Sequence, residues 1–174
     1  VRAVYQKNRS QFADLKTIEI LESSPNRVKP PCTYSETCGG CTLQHLDSKS
    51  QLTFKENVLL EQLESIAGLE HTSFYLLPKL QAKVSGYRRK ARLGVRNVVK
   101  KGGVLVGFRE KNSGFIMDMD SCEVINQKVS SLIMPLREML TSLDASSDIP
   151  QIEVAVGDPA MGVLENNTIA LVFR

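Results

Sequence analysis

The chain has 174 residues, of which 42% are hydrophobic and 24% charged, with no tryptophan, and this composition is typical of a globular chain of one or two domains. No apolar run approaches the ~20 residues that a membrane span needs, and the N-terminus has no signal-peptide core, so we expect a cytoplasmic protein rather than a membrane or secreted one. The net charge of +3 says little about partners.

The distribution of that charge is more informative than its total. Residues 1–80 carry nine basic and nine acidic side chains, whereas residues 81–111 carry ten Lys and Arg against the single acidic Glu110. Residues 112–174 carry three basic and nine acidic side chains. The chain also begins without Met and stops within an apolar run, so we expect a piece of a longer protein that need not contain the whole function.

The first 30 residues are typical of a β-structure. Apolar and polar residues nearly alternate over Leu15–Glu22, which predicts a half-buried strand. Ser23–Asn26 is a turn, and Lys29-Pro30-Pro31 predicts a stiff extended linker. We therefore interpret residues 1–30 as the tail of a small β-domain.

A helix follows the cysteine-rich stretch at Cys32–Cys41. Asp47 or Ser48 is its expected N-cap, and Gly68 is a natural stop. Its expected apolar stripe consists of Leu52, Leu59, Leu63 and Ile66.

A β region comes next. Alternation predicts a strand in which Tyr87, Ala91, Leu93 and Val95 face one way. A hairpin turn at Lys101–Gly103 leads into a strand over Val104–Phe108, and a third strand is expected over Phe115–Met119.

The last third of the chain predicts one more helix and two more strands. The helix starts near Asn126, and Pro135 should kink or offset its first turns. Its expected stripe consists of Val129, Leu132, Ile133, Leu136, Leu140 and Leu143. Strands at Ile152–Val156 and Thr168–Phe173 complete an α+β fold, an antiparallel sheet with two main helices.

The four cysteines have the spacing Cys32-x5-Cys38-x2-Cys41, with Cys122 far downstream. Three close thiolates and one remote thiolate favour a cubane iron–sulfur cluster, and Gly39-Gly40 lets backbone N–H groups approach it. A zinc site is the nearest rival, although zinc ligands more often come in pairs. A disulfide is disfavoured without a secretory signal. Spacing alone leaves these three alternatives open.

The basic block contains a second candidate site. Strand alternation places Arg88, Lys90, Arg92 and Arg96 on one face, where they can follow a phosphate backbone, and Gly94 is expected to keep that face open. Arg89 falls on the opposite face. The candidate RNA-binding residues are Arg88, Lys90, Arg92, Arg96, Lys100, Lys101 and Arg109. The alternative is a solvated face that forms salt bridges with the acidic last third.

Four stretches of the chain, in order, resemble one enzyme family. They are Cys32–Leu46 with Gln51 and Lys55 after it, Gly86–Leu93, Gly107–Arg109 and Ile116–Cys122. They resemble the iron–sulfur RNA (uracil-5-)-methyltransferases, and within that family the bacterial branch that acts on 23S rRNA. Phe12–Asp14 and Ile20–Val28 are similar to the end of the family's N-terminal TRAM domain.

The resemblance implies a domain plan and a cofactor. Residues 1–30 would be the C-terminal part of a small TRAM-like β-barrel, and residues 31–174 a central iron–sulfur and RNA-binding domain. The implied ligands of a [4Fe-4S] cluster are Cys32, Cys38, Cys41 and Cys122. We expect this cluster to be a structural staple, because the family's methyl transfer is redox-neutral.

The same resemblance implies what the chain lacks. Family members transfer a methyl group from S-adenosylmethionine to C5 of a uridine, using a cysteine nucleophile at C6 and a carboxylate base. The glycines here include no cofactor loop after a strand, and the cluster accounts for all four cysteines. We therefore expect no catalytic residue, an inactive fragment, and RNA and the parent's own methyltransferase domain as partners.

Two other functions remain open from the sequence, a zinc-stapled nucleic-acid-binding module and a relative that acts on tRNA.

Smaller expectations concern single residues. Gln44 and His45 would orient the cysteine loop or touch RNA, while Asp118 and Asp120 belong to a strand-end turn rather than a metal site. Arg137 is expected to be a surface charge, as is Glu138.

Overall fold

A computed structural model describes residues 1–8, 10–158 and 168–174. Its helices and strands, in chain order, are β1 (Arg2–Asn8), β2 (Ala13–Glu19), α1 (Ser48–Ser65), β3 (Lys90–Val98), β4 (Gly103–Gly107), α2 (Gln127–Ser130), α3 (Ile133–Thr141), β5 (Gln151–Val156) and β6 (Ile169–Phe173). Short 3-10 turns lie at His71–Ser73 and Val99–Lys101. Within the described ranges, we find no helix with the length and apolar character that crossing a bilayer requires.

The strands form two antiparallel sheets, which confirms the α+β class. β1 and β2 pair as a two-stranded ribbon, and the larger sheet has the order β4-β3-β5-β6. The described residues of the ribbon do not close into a barrel. Leu15 is 62% exposed and Ile18 is 56% exposed, so the prediction of a half-buried strand is wrong. A two-stranded ribbon has no second layer among the described residues that could cover these side chains.

The core lies on one face of the larger sheet. Leu93 and Val95 of β3 are buried there with Ile152 of β5, while Arg92 and Arg96 point to the other face and are exposed. Alternation along β3 therefore follows the sequence pattern. The side chains of α3 that complete this core are Ile133, Leu136 and Leu140.

The second helix is divided, as Pro135 led us to expect. α2 ends at Ser130 and α3 begins at Ile133, which places Pro135 in the first turn of α3. The N–H groups of a first turn have no acceptor within the helix, so the N–H that proline lacks is not needed there. Asn126 caps α2 by accepting a hydrogen bond from Lys128 N. Leu143 lies beyond α3 and is 41% exposed, so its place in the apolar stripe is wrong.

The first helix begins as predicted but packs differently. Asp47 is its N-cap and accepts hydrogen bonds from Lys49 N at 3.0 Å and Ser50 N at 3.1 Å. The expected core stripe is wrong, because no residue of α1 is fully buried among the described residues. Leu59 is 52% exposed, and Ile66, just beyond the helix end, is 81% exposed.

The expected third strand over Phe115–Met119 is also wrong. A single bridge joins Arg109 and Ile116, and Met117 N donates to Phe108 O at 2.8 Å. The segment crosses the sheet at Gly94, where an added Cβ would overlap Ile116 Cδ1. Gly94 leaves room for the end of the Ile116 side chain, which covers part of this face, and Gly94 also lines the open groove described below.

Arg137 is not the surface charge that the sequence indicated. Its side chain is only 16% exposed, and its Nη1 lies 2.9 Å from Asp118 Oδ1. It also donates to Val104 O at 3.2 Å and Met119 O at 3.2 Å. The guanidinium thus joins α3 to β4 and to the crossing segment.

Asp118 receives a second cation at this junction. Lys101 Nζ lies 3.2 Å from Asp118 Oδ2. Burial alone would raise the pKa of Asp118, but the hydrogen bonds and charges of Lys101 and Arg137 outweigh it, and the pKa lies below its ordinary value. The carboxylate therefore stabilises the fold, and it is not directed toward the cysteines.

We predict that Arg137→Ala destabilises the chain by about 1–3 kcal/mol, because Val104 O and Met119 O lose this donor and Asp118 keeps only Lys101. Chemical denaturation of the variant measures this loss. Glu138→Ala, on the exposed side of the same helix, is the matched control and should change stability little. Equal stability of Arg137→Ala and wild type would contradict this role.

A second prediction concerns the pH dependence of stability. Since the folded pKa of Asp118 is depressed, its stabilisation is complete above about pH 4 and is lost as pH falls through the folded pKa. Wild type should therefore exceed Asp118→Asn in stability at pH 7, and the difference should shrink on acidification. Melting curves across pH 2–7 test this, with the exposed Asp144→Asn as control. A difference that is constant across this range would refute the assignment.

Candidate thiol site and adjoining basic groove

All four cysteines line one small pocket. Cys32, Cys38 and Cys41 come from the loop before α1, and Cys122 comes from the turn before α2. Cys38 and Cys122 are buried, and no disulfide joins any of the four. The remaining wall is largely apolar and includes Phe108, Met119 and Val124. The fold thus brings together thiols that the sequence separates by 80 residues.

Backbone hydrogen bonds hold the cysteine loop against the end of the sheet. Gly39 N donates to Arg109 O at 2.8 Å, and Lys111 N donates to Thr37 O at 2.8 Å. A Cβ at position 39 would lie 2.9 Å from Arg109 O, so only glycine allows this approach. Gly40 N donates to Cys38 Sγ at 3.4 Å.

Gln44 orients the start of this loop. Its Oε1 accepts a hydrogen bond from Cys32 N at 3.3 Å. Gln51, on the first turn of α1, donates to Leu43 O at 3.0 Å and to Leu46 O at 2.9 Å. The contribution of His45 is through its backbone, whose carbonyl accepts from Val28 N at 2.9 Å. The geometry of Gln44 thus favours a loop-orienting role over RNA contact.

Cys122 is held by a residue that sequence reasoning missed. Cys122 N donates to Ser130 Oγ at 2.8 Å, and Ser130 is only 2% exposed. The one available signal was a serine on the apolar face of a helix, next to Val129.

A second contact links the cysteine loop to the chain before Cys122. Tyr34 OH donates to Asp120 Oδ1 at 2.9 Å.

The electrostatics of the pocket favour neutral thiols in the absence of a cation. Burial raises the pKa of Cys38, and the nearby Cys122 and Cys41 add to this, while the hydrogen bond from Gly40 opposes it. Burial likewise raises the pKa of Cys32. Thiolates at these positions therefore need a positive centre to balance them.

The donor set and its spread bear on which centre would fit. Within the described residues, no three His, Cys, Asp or Glu side chains converge closely enough to hold a single metal ion. Four thiols nonetheless share one pocket. A set of four thiolates is the donor set that iron–sulfur clusters use, so the chemistry of these side chains fits such a group.

A broad open groove of about 1360 Å³ adjoins the pocket, and Gly40 and Phe108 line both. Its floor is the exposed face of β3, and its rim is formed by residues 109–118. Four of the candidate RNA-binding residues line it, together with one further lysine. These basic lining residues are Arg92, Arg96, Lys101, Arg109 and Lys111.

Three candidate residues lie elsewhere. Arg88 is not among the residues that line the groove. Its Nη2 donates to Gly40 O at 3.3 Å, and its guanidinium lies 5.5 Å from the Phe108 ring centroid. It therefore supports the cysteine loop. Lys90 and Lys100 are exposed outside the groove lining. Arg89, expected on the opposite face, forms a bidentate pair with Asp158.

Part of the basic block is paired with acidic residues, as our alternative interpretation proposed. Arg92 Nε lies 3.4 Å from Glu153 Oε1, and Lys101 pairs with Asp118. Among the described residues, Arg96 and Arg109 have no salt-bridge partner. Five basic and two acidic side chains line the groove, the acidic ones being Glu110 and Asp118, so its lining has a net positive charge.

No protein-family model matches the chain. It is 42% identical over 174 residues, its full length, to 23S rRNA (uracil(1939)-C(5))-methyltransferase RlmD of Alkalilimnicola ehrlichii, and 45% identical over 172 residues to the protein of that name from Thiobacillus denitrificans. In each case it spans 37% of the relative's length. A relative of the same name from Francisella tularensis subsp. novicida is 40% identical over 163 residues. These similarities confirm the resemblance to RNA uracil-C5 methyltransferases.

If the four cysteines hold an iron–sulfur cluster, Cys122→Ser should abolish retention of iron and sulfide after anaerobic reconstitution and lower the melting temperature, because it would remove the remote ligand. Ser130→Ala keeps all four thiols but removes the acceptor of Cys122 N, and should lose iron faster to a chelator. Ser131→Ala, at the exposed neighbouring serine, is the matched control. Unchanged iron content and melting temperature in Cys122→Ser would remove it from the ligand set.

Proposed function

We propose that the chain is the RNA-positioning part of an enzyme that methylates C5 of a uridine in 23S rRNA. One observation carries the proposal, similarity at 40–45% identity, along nearly the whole chain, to relatives that are named for this reaction. The chain spans about a third of their length. Binding of S-adenosylmethionine and the methyl transfer would then belong to the part of the relatives outside the matched region.

We propose that Cys32, Cys38, Cys41 and Cys122 bind a [4Fe-4S] cluster. The four-thiol donor set, the shared pocket and the glycine contact with Cys38 support this proposal. When bound, the cluster would be a covalent cross-link between the cysteine loop and the turn before α2. Methyl transfer from a sulfonium to carbon exchanges no electrons with the cluster, so a structural role suffices.

The basic groove would hold the RNA strand. Arg96 and Arg109 form no salt bridge among the described residues, and Arg92 lies on the same strand face as Arg96. Phosphate binding by such residues is independent of sequence and sensitive to salt. The groove would therefore position RNA, while selection of the target uridine requires further contacts.

The chain by itself should not catalyse methyl transfer. A uracil-C5 methyltransferase needs a free cysteine thiolate to attack C6, and all four cysteines here face the shared pocket. Their thiols would be consumed as cluster ligands. The nucleophile and its partner base would then come from the remainder of the enzyme.

We predict that Arg92→Glu with Arg96→Glu weakens binding to a short single-stranded RNA and lowers the dependence of log K on log salt by about 1.4, since each phosphate contact contributes roughly 0.7 on a single strand. Fluorescence anisotropy of labelled RNA at several salt concentrations measures both. Lys49→Glu with Lys55→Glu, at exposed positions of α1 outside the groove, makes the same charge change. Equal losses in the two double variants would argue against a role for the groove.

A further inference from the structure

An aromatic ring projects from the rim of the basic groove. Phe115 lines the groove, and 74% of its surface is exposed. Singly exposed apolar residues are common on protein surfaces, so what points to a function is the position of this ring in a groove lined by cations, rather than its exposure alone. Other exposed aromatic residues, such as Tyr75 and Tyr87, do not line this groove.

The backbone that carries Phe115 is well supported. Glu110 N donates to Phe115 O at 3.0 Å, and Phe115 N donates to Ser113 Oγ at 3.0 Å. Asn112 adopts a left-handed conformation with φ 56°, which closes the turn. The backbone segment that carries the ring is therefore held by its own hydrogen bonds.

Cations lie along the same groove. Arg96, Arg109 and Lys111 line it with Phe115. A flat apolar ring among guanidinium and ammonium groups matches the two chemical parts of a single-stranded nucleic acid, a base with a π-face and a phosphate backbone. In duplex RNA the base faces are stacked on one another and are not available to a side chain.

We propose that Phe115 is a stacking platform for an unpaired base of the RNA strand that lies in the basic groove. This inference rests on the proposed function and adds to it the form of the substrate, a single-stranded or locally opened segment. Arg96 and Arg109 hold phosphates next to the stacked base. The contact is tolerant of base identity, since every base has a π-face.

Binding measurements test the role of the ring. Phe115→Ala should lower affinity for single-stranded RNA by about 5- to 100-fold, the range for loss of one stacked base. Phe115→Tyr should retain affinity, whereas Phe115→Leu should not, because leucine has volume but no π-face. An oligonucleotide with the same backbone and abasic sites should bind wild type and Phe115→Ala equally. Equal loss on the abasic strand would overturn the proposal.

A spectroscopic test uses the absence of tryptophan from the chain. Phe115→Trp introduces a single indole, whose fluorescence should be quenched when RNA binds. Phe54→Trp places the indole on the exposed side of α1, outside the groove, and should show no quenching. If Phe115→Trp also shows none while Arg92→Glu with Arg96→Glu still weakens binding, the stacking role is wrong and the RNA-binding groove stands. If the double variant binds as wild type does, the groove itself is wrong.

Discussion

The structure depends on a backbone clamp between the cysteine loop and the chain that leaves β4. Gly39 N bonds to Arg109 O, and Lys111 N bonds to Thr37 O, with no side chain at position 39 to keep the two segments apart. This clamp brings three cysteines next to Cys122. It also makes the loop one wall of the basic groove, so the thiol pocket and the groove share part of their lining.

This shared wall relates the proposed cluster to the proposed RNA site. Gly40 and Phe108 line both spaces, and Arg88 holds Gly40 O while its guanidinium lies over the Phe108 ring. A centre bound by the four thiols would therefore limit movement of the groove wall as well as of the loop. The proposed cluster would thereby shape the wall of the proposed RNA-binding groove, which gives a purely structural cluster a physical reason.

Much of the local structure followed from sequence pattern. Alternation along β3 correctly placed Leu93 inside and Arg92 outside, and Asp47 was correctly expected to cap α1. Predictions failed where a distant segment decided the outcome. The cover that Ile116 gives to part of the strand face at Gly94 was not expected, because nothing in the local sequence predicts this contact. Arg137 looked exposed because its acceptors lie on β4 and the crossing segment, far along the chain.

The sequence by itself determined which functional groups are available, because residue type and spacing are local properties. These groups are four thiols, a block of basic side chains and two adjacent glycines. Only the tertiary structure decided how that chemistry is distributed. It assigned Arg88 to the cysteine loop and Arg96 to the groove, although both were expected on one strand face. It also recruited Ser130 to hold Cys122. The Arg88 contact joins residues 48 apart and the Ser130 contact joins residues eight apart, and neither leaves a periodic signal in the sequence.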